Sequence, residues 1–77
     1  SLLKNKRKTI ADNIGVPPYV IFPDRTLIEM ASYFPQKVNS LTTIHGIGRM
    51  KLKRYGKIFL EVIKDYCESK QIKENLP

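Results

Sequence analysis

An all-α domain, a small orthogonal bundle of about five short helices, is the fold class this sequence predicts. Three observations carry the prediction. Apolar residues recur at steps of three and four in the long segments, and prolines and glycines fall at the ends of those segments. The one bulky run that could form a strand is fenced by prolines and has no partner strand.

Taking the elements in order, Leu3, Ile10, Ala11 and Ile14 repeat at helical spacing with no breaker over residues 2–14. Gly15 supplies a left-handed stop and Pro17 prevents continuation. Asp24, between Pro23 and RTLIEMASYF, is placed to cap a second helix with Leu27, Ile28, Ala31 and Phe34 as its buried stripe. Pro35 ends that helix by pushing residue 34 out of helical geometry. Asn39 or Ser40 can cap a short third helix, LTTI, leading into His45-Gly46-Ile47-Gly48. The last helix, about 49–69, has Leu52, Tyr55, Phe59, Val62 and Tyr66 on one face, flanked by Ile58 and Ile63. Arg49, Lys53, Lys57 and Lys64 fall on a roughly opposite stripe, and Glu61 and Glu68 can pair back with Lys57 and Lys64. The domain then spans 1–70, and residues 71–77 are a tail expected to fray.

At 77 residues the chain makes one compact domain with no room for a deep catalytic cavity, so binding is favoured over chemistry. No apolar run approaches the ~20 residues that cross a bilayer, so no membrane is expected. One cysteine, Cys67, cannot form an internal disulfide and fits a reducing cytoplasm. A first residue other than Met suggests a piece cut from a longer protein, expected to be monomeric.

The net charge of +7 is unevenly spread. Residues 1–10 carry Lys4, Lys6, Arg7 and Lys8, and residues 49–57 carry Arg49, Lys51, Lys53, Arg54 and Lys57, neither with an acid. The remainder of the chain is net acidic. Clustered cations release condensed counterions from phosphates, so a polyanion is the favoured partner over two merely solvated faces.

In IHGIGRMKLKRYG (44–56) two glycines flank one aliphatic residue ahead of the basic helix. This resembles a helix-hairpin-helix turn, in which glycines let backbone N–H groups approach a phosphate. The bland alternative is a sharp turn and nothing more. No dinucleotide fingerprint or Gly-Lys-Ser/Thr phosphate loop exists, so no cofactor is expected in this chain. His45 lacks companions for zinc and reads as an exposed turn residue. Cys67 reads as core filler, and the scattered carboxylates do not converge on a two-metal site. The chain is read as non-enzymatic.

The run VPPYVIFPD (16–24) reads as a stiff loop. Four bulky side chains on one tight loop cannot all point inward, so some of Val20, Ile21 and Phe22 plug the core. Tyr19 is then either a base-stacking platform or a ring packed on the core with only its hydroxyl wet. Composition leaves these two readings even.

The runs VPPYVIFPDRTLIEMA and LTTIHGIGRMKLKRYG together resemble the HRDC domain (helicase and RNase D C-terminal), in particular that of bacterial RecQ-type DNA helicases, over about residues 3–67. The resemblance implies a five-helix auxiliary module that helps a helicase engage single-stranded or branched DNA. It also implies that Tyr19 lies in the DNA-binding face. The set expected to contact nucleic acid is Tyr19, Lys4, Arg7, Lys8, Gly46, Gly48, Arg49, Lys53 and Lys57. ATP and Mg are expected in the parent helicase motor, and the helicase core of the same chain is an expected partner. Two other readings stay open: a protein-interaction or interdomain docking module, and an RNA-binding domain of an RNase D-type exonuclease.

Overall fold

The computed structural model describes residues 1–77 and contains helices and no strands. Its five helices are α1 (Leu2–Ile14), α2 (Pro18–Ile21), α3 (Asp24–Tyr33), α4 (Val38–Leu41) and α5. The last, α5, runs without a break through Arg49–Lys51, a π-helical turn at Leu52–Gly56, and Lys57–Lys70. None is long and apolar enough to cross a membrane.

Helix ends follow the sequence signals closely at α1. Ser1 accepts the Lys4 N–H, and Gly15, in the left-handed region, donates to Ala11 O. Val16 N–H reaches the same carbonyl, and its side chain packs on the core, which completes the closure. At α3 the expected cap is not formed. Pro23 occupies the cap position and makes no side-chain bond, while Asp24 is the first helical residue and turns to Arg7 instead. Phe34 closes α3 in the left-handed region, at φ 51° and ψ 54°, because Pro35 excludes right-handed geometry there. The third helix begins earlier than expected, at Val38 after Lys37, and stops before the LTTI run is complete.

VPPYVIFPD is a helical turn rather than a loop. Pro18 sits at its first position, where a missing N–H costs nothing, and Pro17 and Phe22 on either side are extended. The turn sends Ile21 and Phe22 into the core, both at 0% exposure, and leaves Tyr19 and Val20 outside. Burying each of the two contributes ~1.5–3 kcal/mol. Phe22 meets Phe59 and Tyr55 edge-on, with ring centroids 5.0 Å and 5.9 Å away.

The core joins Ala11, Ile21, Phe22, Leu27, Met30, Leu41, Ile44, Ile47, Phe59, Leu60, Ile63 and Cys67. Two expected stripes are rotated relative to it. On α5 the buried line is Gly56, Phe59, Leu60, Ile63 and Cys67, while Tyr66 is exposed and Val62 half-buried. On α3 it is Thr26, Leu27 and Met30, while Ile28 is 64% exposed and Ala31 is exposed as well. The displaced apolar residues share one place. Leu2, Leu3, Ile28, Phe34, Val62 and Tyr66 line an open groove of about 520 Å³ between α1, α3 and α5. On α5 the π turn inserts an extra residue per turn, so the helical period read from sequence drifts there.

Part of the segment 71–77 makes specific contacts with the bundle. Gln71 closes α5 in the left-handed region and Ile72 N–H donates to Cys67 O. Gln36 donates its backbone N–H to Glu74 and its amide to Ile72 O, and Asn75 N–H donates to Tyr33 O. Ile72 packs against the core. Short-range periodicity carries no trace of these contacts because they close across 36–42 residues of chain.

Candidate nucleic-acid interface

The Gly-Ile-Gly turn is built from α3. Thr26, fully buried, donates its hydroxyl to His45 O at 2.8 Å, and His45 N–H donates to Glu29 Oε1 at 2.9 Å. That backbone bond, more than the nearby Arg25, holds the Glu29 carboxyl below its ordinary range. Gly46 has φ +84°, and a Cβ there would lie 2.3 Å from Thr26 Oγ1. Glycine is therefore required twice over, by conformation and by space. Gly48 is extended, with open space where a Cβ would go, and it leads into α5. Ile44 and Ile47 anchor the turn in the core, and His45 is exposed. The first N–H groups of α5 have no intrahelical acceptor, and Leu52 N–H is the first to bond, to Gly48 O.

The basic residues fall into three environments. Arg49, Lys53, Arg54 and Lys57 on α5 are exposed and form no ion pair. Lys51 is half-buried, its ammonium 5.6 Å from the Phe22 ring centroid, a cation–π contact. On α1 Lys8 pairs with Asp12 at 2.8 Å, both exposed, while Lys4 and Lys6 form no ion pair.

Arg7 differs most from its expected role. Only 8% exposed, it donates Nη1 to Phe22 O and pairs through Nη2 with Asp24, each at 2.8 Å. The Arg7 hydrogen bond, ahead of its charge, is what holds the Asp24 carboxyl below the ordinary range. Its Nε–H, also buried, has no partner. Arg7 thus locks the α2–α3 connection onto α1 rather than reaching outward.

Phe22 is the junction. Arg7 holds its carbonyl, while Lys51, Tyr55 and Phe59 surround its ring. Three residues upstream, Tyr19 stands 68% exposed on the same turn. The structure therefore brings the Tyr19 turn, the middle of α1 and the N-terminal half of α5 together. Lys57 lines a shallow hollow with Lys37 and Lys64. The expected Lys57–Glu61 and Lys64–Glu68 pairs do not form. Lys51, Lys37 and Lys64 were not among the expected contacts. Lys51 could have been found from its position in the cation run, whereas Lys37 stands alone in sequence and gives no signal.

No group of three or more His, Cys, Asp or Glu residues is assembled to hold a metal. Cys67 is buried at the core, which pushes its thiol pKa up.

The profile of the HRDC domain matches residues 1–63. The chain is 42% identical over 64 residues to the ATP-dependent DNA helicase RecQ of Haemophilus influenzae, an alignment covering 83% of this chain and 10% of that protein. It is 44% identical over 65 residues to the protein of the same name from Bacillus subtilis, covering 84% and 11%. It is 40% identical over 62 residues to the ATP-dependent DNA helicase UvrD2 of Mycobacterium bovis, covering 80% and 9%. The chain spans about a tenth of the length of these relatives. With a profile matching most of its length and helicase relatives above 40% identity, this chain belongs to the HRDC domain family.

Proposed function

We propose that this domain is the auxiliary nucleic-acid-binding module of a RecQ-like ATP-dependent DNA helicase acting in DNA repair and recombination, and that it engages single-stranded or branched DNA. The observation that carries this reading is Tyr19, a largely exposed ring on a turn whose next residues but one, Ile21 and Phe22, are fully buried. A rigidly mounted aromatic face stacks on any base, worth ~1–3 kcal/mol per base. Arg49, Lys53 and Arg54 supply phosphate contacts from the exposed surface of α5, with Lys4 at the margin and Gly46 and Gly48 shaping the approach to α5. Lys8 contributes less because Asp12 already faces it. Arg7 is left out of the contact set because its guanidinium is committed inside the fold. ATP and Mg belong to the motor of the parent helicase, whose core is the domain's partner in the same chain. The module works as a monomer in the cytoplasm, at the nucleoid.

Titration of fluorescent single-stranded and forked oligonucleotides at several salt concentrations tests the reading. Affinity should fall steeply with salt, and Tyr19→Ala should weaken binding about tenfold with an unchanged melting temperature. Binding that ignores salt, or a Tyr19→Ala variant that melts early, overturns it. A matched RNA strand in the same assay separates this reading from an RNase D-type role.

One observation favours a second reading, an interdomain docking module. The apolar groove that exposes Leu2, Ile28 and Tyr66 is the kind of surface a neighbouring domain covers. That reading expects little DNA affinity even at low salt.

A further inference from the structure

We infer that the shallow hollow between the α3–α4 connection and α5 is a second phosphate site, which holds a phosphodiester of the strand engaged on the Tyr19 side. The inference rests on the nucleic-acid-binding reading and extends it to this hollow. Lys57, Glu61 and Lys64 occupy successive turns of α5 and face Lys37 across a concavity of about 370 Å³, floored by Val38 and Leu60. Three lysines and one glutamate thus line the same hollow. Glu61 has the four-residue spacing from Lys57 that favours pairing, yet it forms no ion pair, and neither do the three lysines.

The other carboxylate acting on Lys37 is Glu74. It is already occupied, since the Ser40 hydroxyl, ahead of the Gln36 N–H, holds its carboxyl below the ordinary range. The wall is also fixed in place. Gln36 is bonded at its backbone to Glu74 and at its amide to Ile72, so the docked tail holds the Lys37 side of the hollow. Concentrated like charge in a concave surface repels itself and attracts a mobile anion. Lysine suits a contact of this kind, as a flexible point charge for a phosphate that needs no bidentate geometry.

A nucleic-acid strand is the ligand that fits the surroundings. Lys57 is the last of three cations spaced four residues apart on exposed α5, after Arg49 and Lys53, and it also borders the hollow. Free cations therefore run from the Gly-Ile-Gly turn into the hollow. A polyanion that lies along α5 meets the second site as its next contact.

The test is the double variant Lys37→Gln/Lys64→Gln, both at exposed positions, with oligonucleotides of about 6 and about 20 nucleotides. On the longer strand the slope of log affinity against log salt should shrink by about 1.4, and on the shorter strand it should not change. Pyrophosphate added to the wild-type domain should shift the NMR signals of Lys37, Lys57 and Lys64 ahead of other lysines. An unchanged slope on the longer strand, or equal loss on both strands, overturns the inference. If the wild-type domain binds no DNA, the proposed function falls. Pyrophosphate shifts confined to this hollow would then keep the anion site, and shifts spread over all lysines would remove it.

Discussion

Residues 1–10 and 49–57 look alike in sequence, each a dense run of cations without an acid, and the fold uses them differently. In the first run Arg7 is buried against Phe22 O and Asp24 and Lys8 is paired with Asp12, while Lys4 and Lys6 form no ion pair. In the second, Arg49, Lys53, Arg54 and Lys57 remain exposed and unpaired. The acids that pair with Arg7 and Lys8 are Asp24, on another helix, and Asp12, one turn on. Charge counted along a chain therefore overstates the cation surface wherever the fold returns an acid to it.

The largest effect should come from the turn that aims the second run. Gly46→Ala forces a Cβ onto Thr26 Oγ1 at a positive φ, at a cost of about 2–4 kcal/mol. Gly48→Ala, with open space and an extended backbone, should leave the melting temperature within a few degrees of wild type. Equal melting of the two variants would mean that the turn is not set by Thr26.

Next in size is Arg7→Ala. It strips the partner from the buried Phe22 carbonyl and removes the packed stem, a loss of about 2–3 kcal/mol. In a domain this small that lowers the melting temperature by roughly 10 °C or more. A variant that melts normally but loses DNA would return Arg7 to the contact surface and erase the contrast between the two runs.

Acid tests the same contrast through Asp24. Its folded pKa lies below the unfolded value of about 3.8 because Arg7 hydrogen-bonds it. The stabilisation is therefore present above that value and is lost as pH falls through the folded one. Glu29 and Glu74 are depressed likewise, by His45 N–H and by the Ser40 hydroxyl. Thermal melts from pH 5 down to about pH 2 should show the decline, with a smaller drop in Arg7→Ala. An identical acid profile for the variant would separate Asp24 from Arg7.

The smallest and most discriminating comparison is Lys8→Gln against Lys53→Gln. Each removes one charge from an exposed residue, and stability should move by no more than about 0.5 kcal/mol. Salt-dependent titration should lose about 0.7 of slope for Lys53→Gln and less for Lys8→Gln. The reverse order would place the binding surface on α1.

Much of the fold was legible because its signals are local. Gly15 and Pro35 mark helix ends through their own backbone restrictions, and Pro17-Pro18 with Pro23 delimit the α2 turn. The helix-period stripes of α3 and α5 were found but centred on the wrong residues. Ile28, Val62 and Tyr66 share the apolar pattern of the core, yet they line an open groove. Hydropathy along a helix cannot tell a packed face from an uncovered one. The π turn at Leu52–Gly56 adds a second error, since nothing in LKRYG announces it and it changes which residues align below.

The candidate site divides in the same way. Tyr19 and the Gly-Ile-Gly turn could be named from sequence because prolines and glycines act on their immediate neighbours. The fate of Arg7, the seat of Lys51 on Phe22 and the meeting of Lys37 with Lys57 and Lys64 came only from tertiary structure. By itself the sequence determined an all-helical HRDC fold, its helix ends and two cationic runs, since backbone restriction and periodic burial operate over a few residues. Which cations face solvent was decided by contacts between elements far apart in the chain, such as Arg7 with Phe22 and Asp24. A charge is free only when the assembled fold brings it no partner.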